Sequence, residues 1–380
     1  MKRFSLLLPF IGFGFCFSIS SLKAEEKALS RDEAYYLRKD IRNAWKSAQR
    51  KNLEKNAKDM TVRVGDLEMK YSGQIFGKEP SNGRSLWISL HGGGKTATEV
   101  NNQQWDNQKR LYQPKEGVYV CPRAPWDDWD MWCKGPIDSL YKQLIQIMVA
   151  YFNVSPNKVY IMGYSAGGDG VWRMAPRMAD HWAAASMMAG HPGDVRLDNL
   201  LNTPFMIWMG ANDSAYDRNR HAVTRGAQMD SLQNLYPKNY IHETHIIEGK
   251  GHWMDRQDTL ALDWMKKFRR DPYPKHVIWQ QEEVIEPAFF WLSAPNGKRG
   301  DRLDVSIKKN TIDIQHSDYK NFTIWLTDEL VDLDKNVKVR YKGKEIFKGK
   351  LIRTRKNMEE SIRTRGDLYF CYPSKIDIKL

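Results

Sequence analysis

A serine stands at the point of a tight turn between an apolar run and a helical pattern. The motif Gly-Tyr-Ser-Ala-Gly, residues 163–167, follows a β-branched and aromatic run at residues 158–162. A strand-to-helix turn this tight needs small residues on both sides, and it lifts the central hydroxyl out of the sheet. The pattern predicts that Ser165 is a nucleophile, with an ordinary glycine-rich turn as the alternative.

Two further residues have the types and positions that a nucleophilic serine requires, because a serine needs a general base that is held by an acid. Asp213 follows the apolar run 205–209, and His252 follows the run 240–247 in a glycine-containing loop. Serine, acid and histidine thus occur in this order along the chain, each directly after a predicted strand. Asp217 is the alternative acid, although its place at the start of a helical pattern favours a role in that helix. The alternative for the histidine is an ordinary surface loop residue.

A glycine-rich run, residues 91–94, follows another apolar strand pattern. Acyl transfer needs backbone N–H groups that point to where negative charge develops. We expect Gly92 and Gly93 of this run, together with Ala166 after the serine, to form such an oxyanion hole. The spacing of a phosphate-binding loop is absent, and we expect His91 to hold the loop rather than to act as a base.

Four tryptophans lie close to these residues in the sequence. Trp126, Trp129 and Trp132 follow a predicted strand, and Trp253 is next to the candidate base. Their aromatic faces suit stacking on a sugar ring or on an aryl group. The alternative is that they pack a long loop against the core, and both interpretations stay open.

The elements that must position these residues alternate between strands and helices over residues 61–274. The central strand patterns are apolar on both faces, which predicts a buried, mostly parallel sheet flanked by helices. Short antiparallel strands with glycine turns are expected before it, at 62–64, 67–71 and 74–76. Residues 259–269 are predicted to form the last helix of this part.

The two ends of the chain have different patterns. Residues 25–60 predict a helix that begins with a capping box, Ser30 to Glu33, and packs on the main part by one apolar stripe. After Asp-Pro-Tyr-Pro, residues 271–274, alternation with period two and short turns predicts a small β-sandwich-like domain over 275–380.

The first 24 residues read as a secretory signal peptide, with a basic start, an apolar stretch and small residues up to Ala24. A lipid anchor on Cys16 is disfavoured by the bulky Phe15 before it. Removal of this segment lowers the formal charge from +13 to +10, spread along the chain. We therefore expect a secreted or periplasmic bacterial protein, with no membrane span after cleavage and no nucleic-acid partner.

Three cysteines remain after the leader, and no pair has metal-ligand spacing. Cys121 and Cys133 are close enough in sequence for a loop disulfide, and the odd number leaves at least one free thiol. No metal site is predicted.

Taken together, the motifs resemble the α/β-hydrolase superfamily over residues 62–270. The glycine-rich run with Lys-Thr-Ala at 95–97, the motif at 163–168 and Met-Ala-Gly-His-Pro at 188–192 are most similar to secreted esterases related to polyhydroxybutyrate depolymerases, feruloyl esterases and dienelactone hydrolases. The resemblance implies hydrolysis of carboxylic esters without a cofactor. We expect a small-molecule or polysaccharide ester as the substrate, either an ester-decorated carbohydrate or an aryl ester. The alternatives are a serine peptidase of the prolyl-oligopeptidase kind and a non-catalytic glycan-binding protein. Acyl group, alcohol and oligomeric state stay open.

Overall fold

An eight-stranded sheet organises the computed structural model, which describes residues 27–380. The predicted leader at 1–24 and Cys16 lie outside the described residues. The strands of this sheet are β1 (Thr61–Val64), β2 (Leu67–Phe76), β3 (Arg84–Leu90), β4 (Gly117–Pro122), β5 (Val154–Tyr164), β6 (Ala184–Met188), β7 (Phe205–Gly210) and β8 (His242–Ile247).

The sheet order is β1-β2-β4-β3-β5-β6-β7-β8, and all neighbours from β4 to β8 run parallel. β1 and β2 are antiparallel additions at one edge. This arrangement confirms the predicted α/β-hydrolase fold. Because the parallel strands end at one edge, the loops that follow β3, β5, β7 and β8 meet there.

Helices cover both faces of the sheet and bury a separate apolar core on each. The helices of the N-terminal and central parts are α1 (Arg31–Asn52), α2 (Glu54–Lys58), α3 (Thr98–Leu111), α4 (Ile137–Tyr151), α5 (Ala166–Arg177), α6 (Arg218–Leu235) and α7 (Leu260–Met265). α4, α5 and α6 contribute to one core, whereas α3 and α7 flank the other.

The structure differs from the sequence-based predictions at three places. The predicted strands 67–71 and 74–76 form one strand, β2, which pairs without interruption with β4 through Gly73. The last helix is shorter than 259–269 and is limited to α7 after a 3₁₀ turn. α3 was not predicted, because its face toward the sheet buries the polar Asn101 and Gln108 instead of an apolar stripe.

The C-terminal part consists of two sheets that enclose a common apolar core. Its strands are β9 (His276–Gln280), β10 (Ala288–Phe289), β11 (Leu292–Ser293), β12 (Arg302–Lys308), β13 (Thr311–Ser317), β14 (Asn321–Leu326), β15 (Val337–Tyr341), β16 (Lys344–Gly349) and β17 (Ser374–Lys379). The sheet orders are β10-β11-β14-β17 and β16-β15-β13-β12-β9, and β13–β15 is the one parallel pair among the described strands of these two sheets. One helix, α8 (Arg355–Arg365), precedes the last strand.

α1 connects the two parts of the chain. The predicted capping box is confirmed, since the Glu33 N–H donates to Ser30 Oγ at 3.2 Å and the Ser30 N–H donates to Glu33 Oε2 at 2.8 Å. The apolar stripe packs partly on α4 but also on α8, where Ile41 shares a core with Met358 and Ile362. The helix therefore bridges both parts rather than covering the main part alone.

Candidate active site

The turn after β5 holds Ser165 in a backbone conformation that non-glycine residues rarely adopt, with φ 58° and ψ −123°. The chain enters α5 directly at Ala166. A Cβ atom added to Gly167 would lie 2.2 Å from the carbonyl oxygen of Leu90, so only glycine fits there. The strain therefore comes from close packing of the turn against β3, and it presents the serine hydroxyl at the sheet edge.

A continuous chain of hydrogen bonds joins three side chains from three different loops. His252 Nε2 lies 2.9 Å from Ser165 Oγ, and His252 Nδ1 lies 2.7 Å from Asp213 Oδ2. Because a carboxylate only accepts, Nδ1 carries the proton and donates to Asp213, which leaves Nε2 to accept from the serine hydroxyl. The three residues that the sequence singled out are thus brought into contact.

Asp213 is buried, and a second partner balances its charge. The Nη1 atom of Arg218 lies 3.7 Å from Asp213 Oδ1, which places a positive charge beside the carboxylate. The Asn219 N–H donates to the carbonyl oxygen of Asp213 at 3.1 Å and fixes the loop. Asp217 is exposed and pairs with Arg220 instead of with the histidine.

Tyr164, directly before the serine, holds the loop that carries the histidine. Its hydroxyl donates to the carbonyl oxygen of His252 at 2.5 Å and accepts from the Met254 N–H at 3.2 Å. Sequence reasoning missed this role, because the residue occupies a variable position of the motif. The signal that could have found it is a buried-strand tyrosine, whose hydroxyl requires a partner.

The glycine-rich loop after β3 lies directly against Ser165. A Cβ atom on Gly92 would be 3.2 Å from the Cβ atom of Ser165. Gly93 has φ +112°, and a Cβ atom there would meet Asn101 Oδ1 at 2.1 Å. Asn101 in turn accepts from the Gly94 N–H and donates to the Gly94 carbonyl, both at 3.0 Å. The backbone of this loop is therefore fixed beside the hydroxyl.

His91 is buried beneath this loop and is neutral, because burial lowers its pKa to about 4. The Ala124 N–H donates to its Nε2 at 3.1 Å, so its Nδ1 carries the proton and donates to the Gly92 carbonyl at 2.6 Å.

Ala166, opposite the loop, occupies the first position of α5, where an N–H has no acceptor within the helix. The N–H groups expected to form an oxyanion hole thus flank the serine.

The serine and histidine open onto a cleft of about 640 Å³. Its far wall is α3, with Val100, Gln104, Asn107 and Leu111 among the lining residues. The Arg256 guanidinium donates to the Leu111 carbonyl at 2.8 Å and closes the cleft at one end. The sequence did not point to this wall, because α3 itself was not predicted.

The structure separates the four tryptophans. Trp253 is 49% exposed and lines the cleft beside Tyr164. Trp129 is 54% exposed and lies against the glycine-rich loop, outside that cleft. Trp132 is buried and donates from Nε1 to the His91 carbonyl at 2.9 Å, while Trp126 packs against the core. Substrate contact is therefore open to the first two, and the last two pack the loop.

The three described cysteines are free thiols. Cys121 faces α3, with Sγ 3.4 Å from the Gln108 carbonyl, and Cys133 lies in a separate loop. The suggested loop disulfide does not form.

Within residues 27–380, no cluster of three or more histidine, cysteine or acidic side chains could hold a metal ion. The same range contains no helix that is long and apolar enough to cross a bilayer.

Comparison with solved structures finds esterases. A thermostable esterase is 16% identical, with a TM-score of 0.46 over 55% of this chain and 62% of that one. The match thus spans less than two thirds of that esterase. A ferulic acid esterase (16% identity, TM-score 0.39) and Est1E from Butyrivibrio proteoclasticus (14%, TM-score 0.38) each match 55% of this chain and 94% and 96% of their own lengths.

No family model matches the sequence, and no curated protein matches it. The fold is nevertheless defined by the strand order and by the loops that it brings together. The chain has the α/β-hydrolase fold, with serine, histidine and aspartate in hydrogen-bond contact at the carboxyl edge of its parallel strands.

Proposed function

We propose that this protein is a serine hydrolase that cleaves carboxylic esters through an acyl-enzyme. The observation that carries the proposal is the hydrogen-bonded chain from Ser165 through His252 to the buried Asp213. Such a chain activates a hydroxyl that is otherwise a weak nucleophile. The resemblance of the sequence motifs to secreted esterases favours esters over amides.

In the proposed reaction, Ser165 Oγ attacks the ester carbonyl carbon while His252 Nε2 accepts the hydroxyl proton. The negative charge on the carbonyl oxygen is held by the N–H of Ala166 and by one from Gly92 or Gly93. The carbon–oxygen bond to the alcohol then breaks, and His252 returns the proton to the departing oxygen. Water, deprotonated by His252, attacks the acyl-serine and releases the acid and the free serine.

The cleft that contains Ser165 and His252 suits a substrate that has a flat or apolar group next to polar groups. Trp253 and Leu111 supply apolar surface, whereas Gln104 and Asn107 supply hydrogen-bond donors and acceptors. An aryl ester or an ester on a carbohydrate satisfies both requirements. The proposed steps use only side chains and backbone groups of this chain and water.

The test compares p-nitrophenyl acetate with the matching anilide in the wild type and in Ser165→Ala. We expect turnover of the ester, little turnover of the anilide, and loss of ester turnover by at least about 10⁴-fold in the variant. A fluorophosphonate probe should add its mass to the Ser165 peptide of the wild type only. Preferred anilide cleavage would favour a peptidase, and a wild type without turnover would reject the enzyme proposal.

We also propose that the protein is exported and loses residues 1–24, as their sequence pattern suggests. Expression of the full chain in a bacterial host, followed by fractionation and mass measurement, tests this. We expect a mature N-terminus at Glu25 in the periplasm or the medium. Uncleaved protein in the cytoplasm would refute it.

A further inference from the structure

A second cleft, of about 510 Å³, lies where the α/β part meets the β-sandwich. Trp129 and Arg173 line it from the α/β part, and Glu283 and Arg299 line it from loops of the C-terminal part. None of these side chains takes part in the proposed reaction steps. The cleft is also a place where the C-terminal part contributes side chains near the nucleophile.

The junction cleft, as we name it, begins one helical turn behind Ser165. Asp169 lines it, and the Asp169 N–H donates to the Ser165 carbonyl at 3.0 Å in the first turn of α5. Trp129, which also lines the junction cleft, lies against the glycine-rich loop, because a Cβ atom on Gly94 would lie 2.9 Å from its ring. Asp169 and Trp129 thus place the junction cleft beside α5, which follows Ser165, and beside the glycine-rich loop.

The charges in the junction cleft are paired with one another. Asp194 accepts from Arg173 at 2.7 Å and from Arg299 at 2.6 Å, and Glu283 lies 3.5 Å from Arg173. Lys134 and Asp130, also in the lining, lie 3.7 Å apart. These pairs balance one another, and Asp169 adds one carboxyl group, which accepts from the His191 N–H at 2.6 Å. The cleft therefore has no surplus of positive charge to attract an anionic glycan.

Paired arginine and carboxylate side chains instead present donors and acceptors next to each other. A hydroxyl group both donates and accepts, so a row of hydroxyls matches such a surface. An apolar face lies next to this surface. Trp129 is exposed, and its ring contacts the exposed Tyr216 ring edge to face, with 6.2 Å between the ring centroids. An aromatic face beside dense donors and acceptors suits a ring that has apolar C–H faces and hydroxyl edges.

We propose that the junction cleft binds neutral sugar units of a glycan that carries the ester. Trp129 stacks on a sugar ring, while Arg173, Glu283 and Arg299 bond to hydroxyl groups. The assignment rests on the proposed function in one respect, namely that the bound glycan is part of the substrate. It gives the C-terminal part a role in substrate selection.

The kinetic test uses two acetate esters that share the same acyl-enzyme, p-nitrophenyl acetate and acetylated xylo-oligosaccharide. In Arg299→Ala and Glu283→Gln, we expect the ratio of kcat/KM for the oligosaccharide to kcat/KM for the aryl ester to fall about tenfold. Arg355→Ala is the matched control, because Arg355 is as exposed as Arg299 (61% against 58%) and also has one carboxylate partner, on α8. An unchanged ratio in the two cleft variants would overturn the proposal.

A binding test separates this proposal from the proposed function, because it needs no turnover. Ser165→Ala protein is titrated calorimetrically with unacetylated xylotetraose, cellotetraose or mannotetraose, and with trigalacturonate as the charged probe. We expect at least one neutral probe to bind more tightly than about 10 mM and Trp129→Ala to weaken it about tenfold. Binding of trigalacturonate alone, no binding of any neutral probe, or binding that Trp129→Ala leaves unchanged would overturn the assignment. A wild type that hydrolyses neither ester would reject the proposed function and leave this test decisive for the cleft.

Discussion

Two regions of the molecule bury charged side chains, and they arrange their partners differently. At the active site, Asp213 is joined through His252 to a serine hydroxyl that opens onto solvent. Where the α/β part joins the sandwich, Arg270 and Asp367 form two hydrogen bonds of 2.8 and 3.2 Å and are both buried. The active-site network ends at a hydroxyl that can react, and we call it the open network. In the network of Arg270 and Asp367, which we call the closed network, the hydrogen bonds are made within the chain.

The closed network keeps its charges despite burial. Burial acts to raise the pKa of Asp367, but the charge and hydrogen bonds of Arg270, together with further contacts that include the Tyr369 N–H, outweigh it and lower the pKa below its ordinary value. Arg270 also donates to Asn157 and to the Asp180 carbonyl. Buried charge therefore serves chemistry where one bond of the network is left to a substrate, and it serves attachment where every bond is made within the chain.

The largest expected effect comes from altering the active-site network at Asp213. Asp213→Asn should lower kcat for p-nitrophenyl acetate by about 10⁴-fold, because an amide can donate to Nδ1 and hold His252 in the wrong tautomer. Asp217→Asn, four residues away and exposed, should retain full activity. If the two variants behaved in the reverse way, Asp217 would be the acid and the observed contact would be incidental.

The closed network should respond in stability rather than in activity. Asp367→Ala leaves the Arg270 guanidinium buried without its carboxylate and should lower the free energy of unfolding by about 3–5 kcal/mol. Urea denaturation followed by tryptophan fluorescence measures this. The matched control, Glu359→Ala, removes a 3.0 Å surface pair with Arg355 and should cost less than about 1 kcal/mol. Equal effects in both variants would show that the junction is not held by its buried pairs.

Acid should weaken the junction through His181, which packs beside Asp180. Burial lowers the pKa of His181 to about 4 from 6.5, so the unfolded chain takes up a proton before the folded one does. Stability is therefore lost as pH falls from 6.5 to 4, by about 3 kcal/mol for a shift of this size. His181→Gln should flatten the dependence of the unfolding free energy on pH over that range. A slope in His181→Gln equal to that of the wild type would contradict the assignment.

The smallest expected effect is on substrate binding in the cleft that contains Ser165 and His252. Trp253→Ala removes an exposed aromatic wall and should raise KM for an aryl ester about threefold to tenfold, with the unfolding free energy changed by less than about 0.5 kcal/mol. Trp132→Leu, in the same candidate set but buried, should instead destabilise the fold by about 2–4 kcal/mol with KM unchanged. A change of KM in Trp132→Leu alone would reverse the roles that burial indicates.

Much of the fold could be predicted from the sequence, because the parallel strands are apolar on both faces and alternate with helices. The candidate site could be predicted because each of its side chains follows a strand, and parallel strands end at one edge. α3 could not be predicted, since it is positioned by buried polar contacts such as Gln108 Nε2 to Ser89 Oγ at 2.7 Å. The continuity of β2 through Gly73 also depends on its pairing with β4 rather than on local preference.

The side chains that can do chemistry, and the order in which they reach the sheet edge, could be read from the sequence alone. The folded structure was needed to show which tryptophans face solvent and that Tyr164 holds the histidine loop. It was also needed to show that Glu283 and Arg299 line a second cleft with Asp169 of α5. The physical reason is that motif and period are local properties of the chain. Burial and hydrogen-bond partners, in contrast, depend on residues that are distant in sequence and meet only when the sheet and the sandwich pack together.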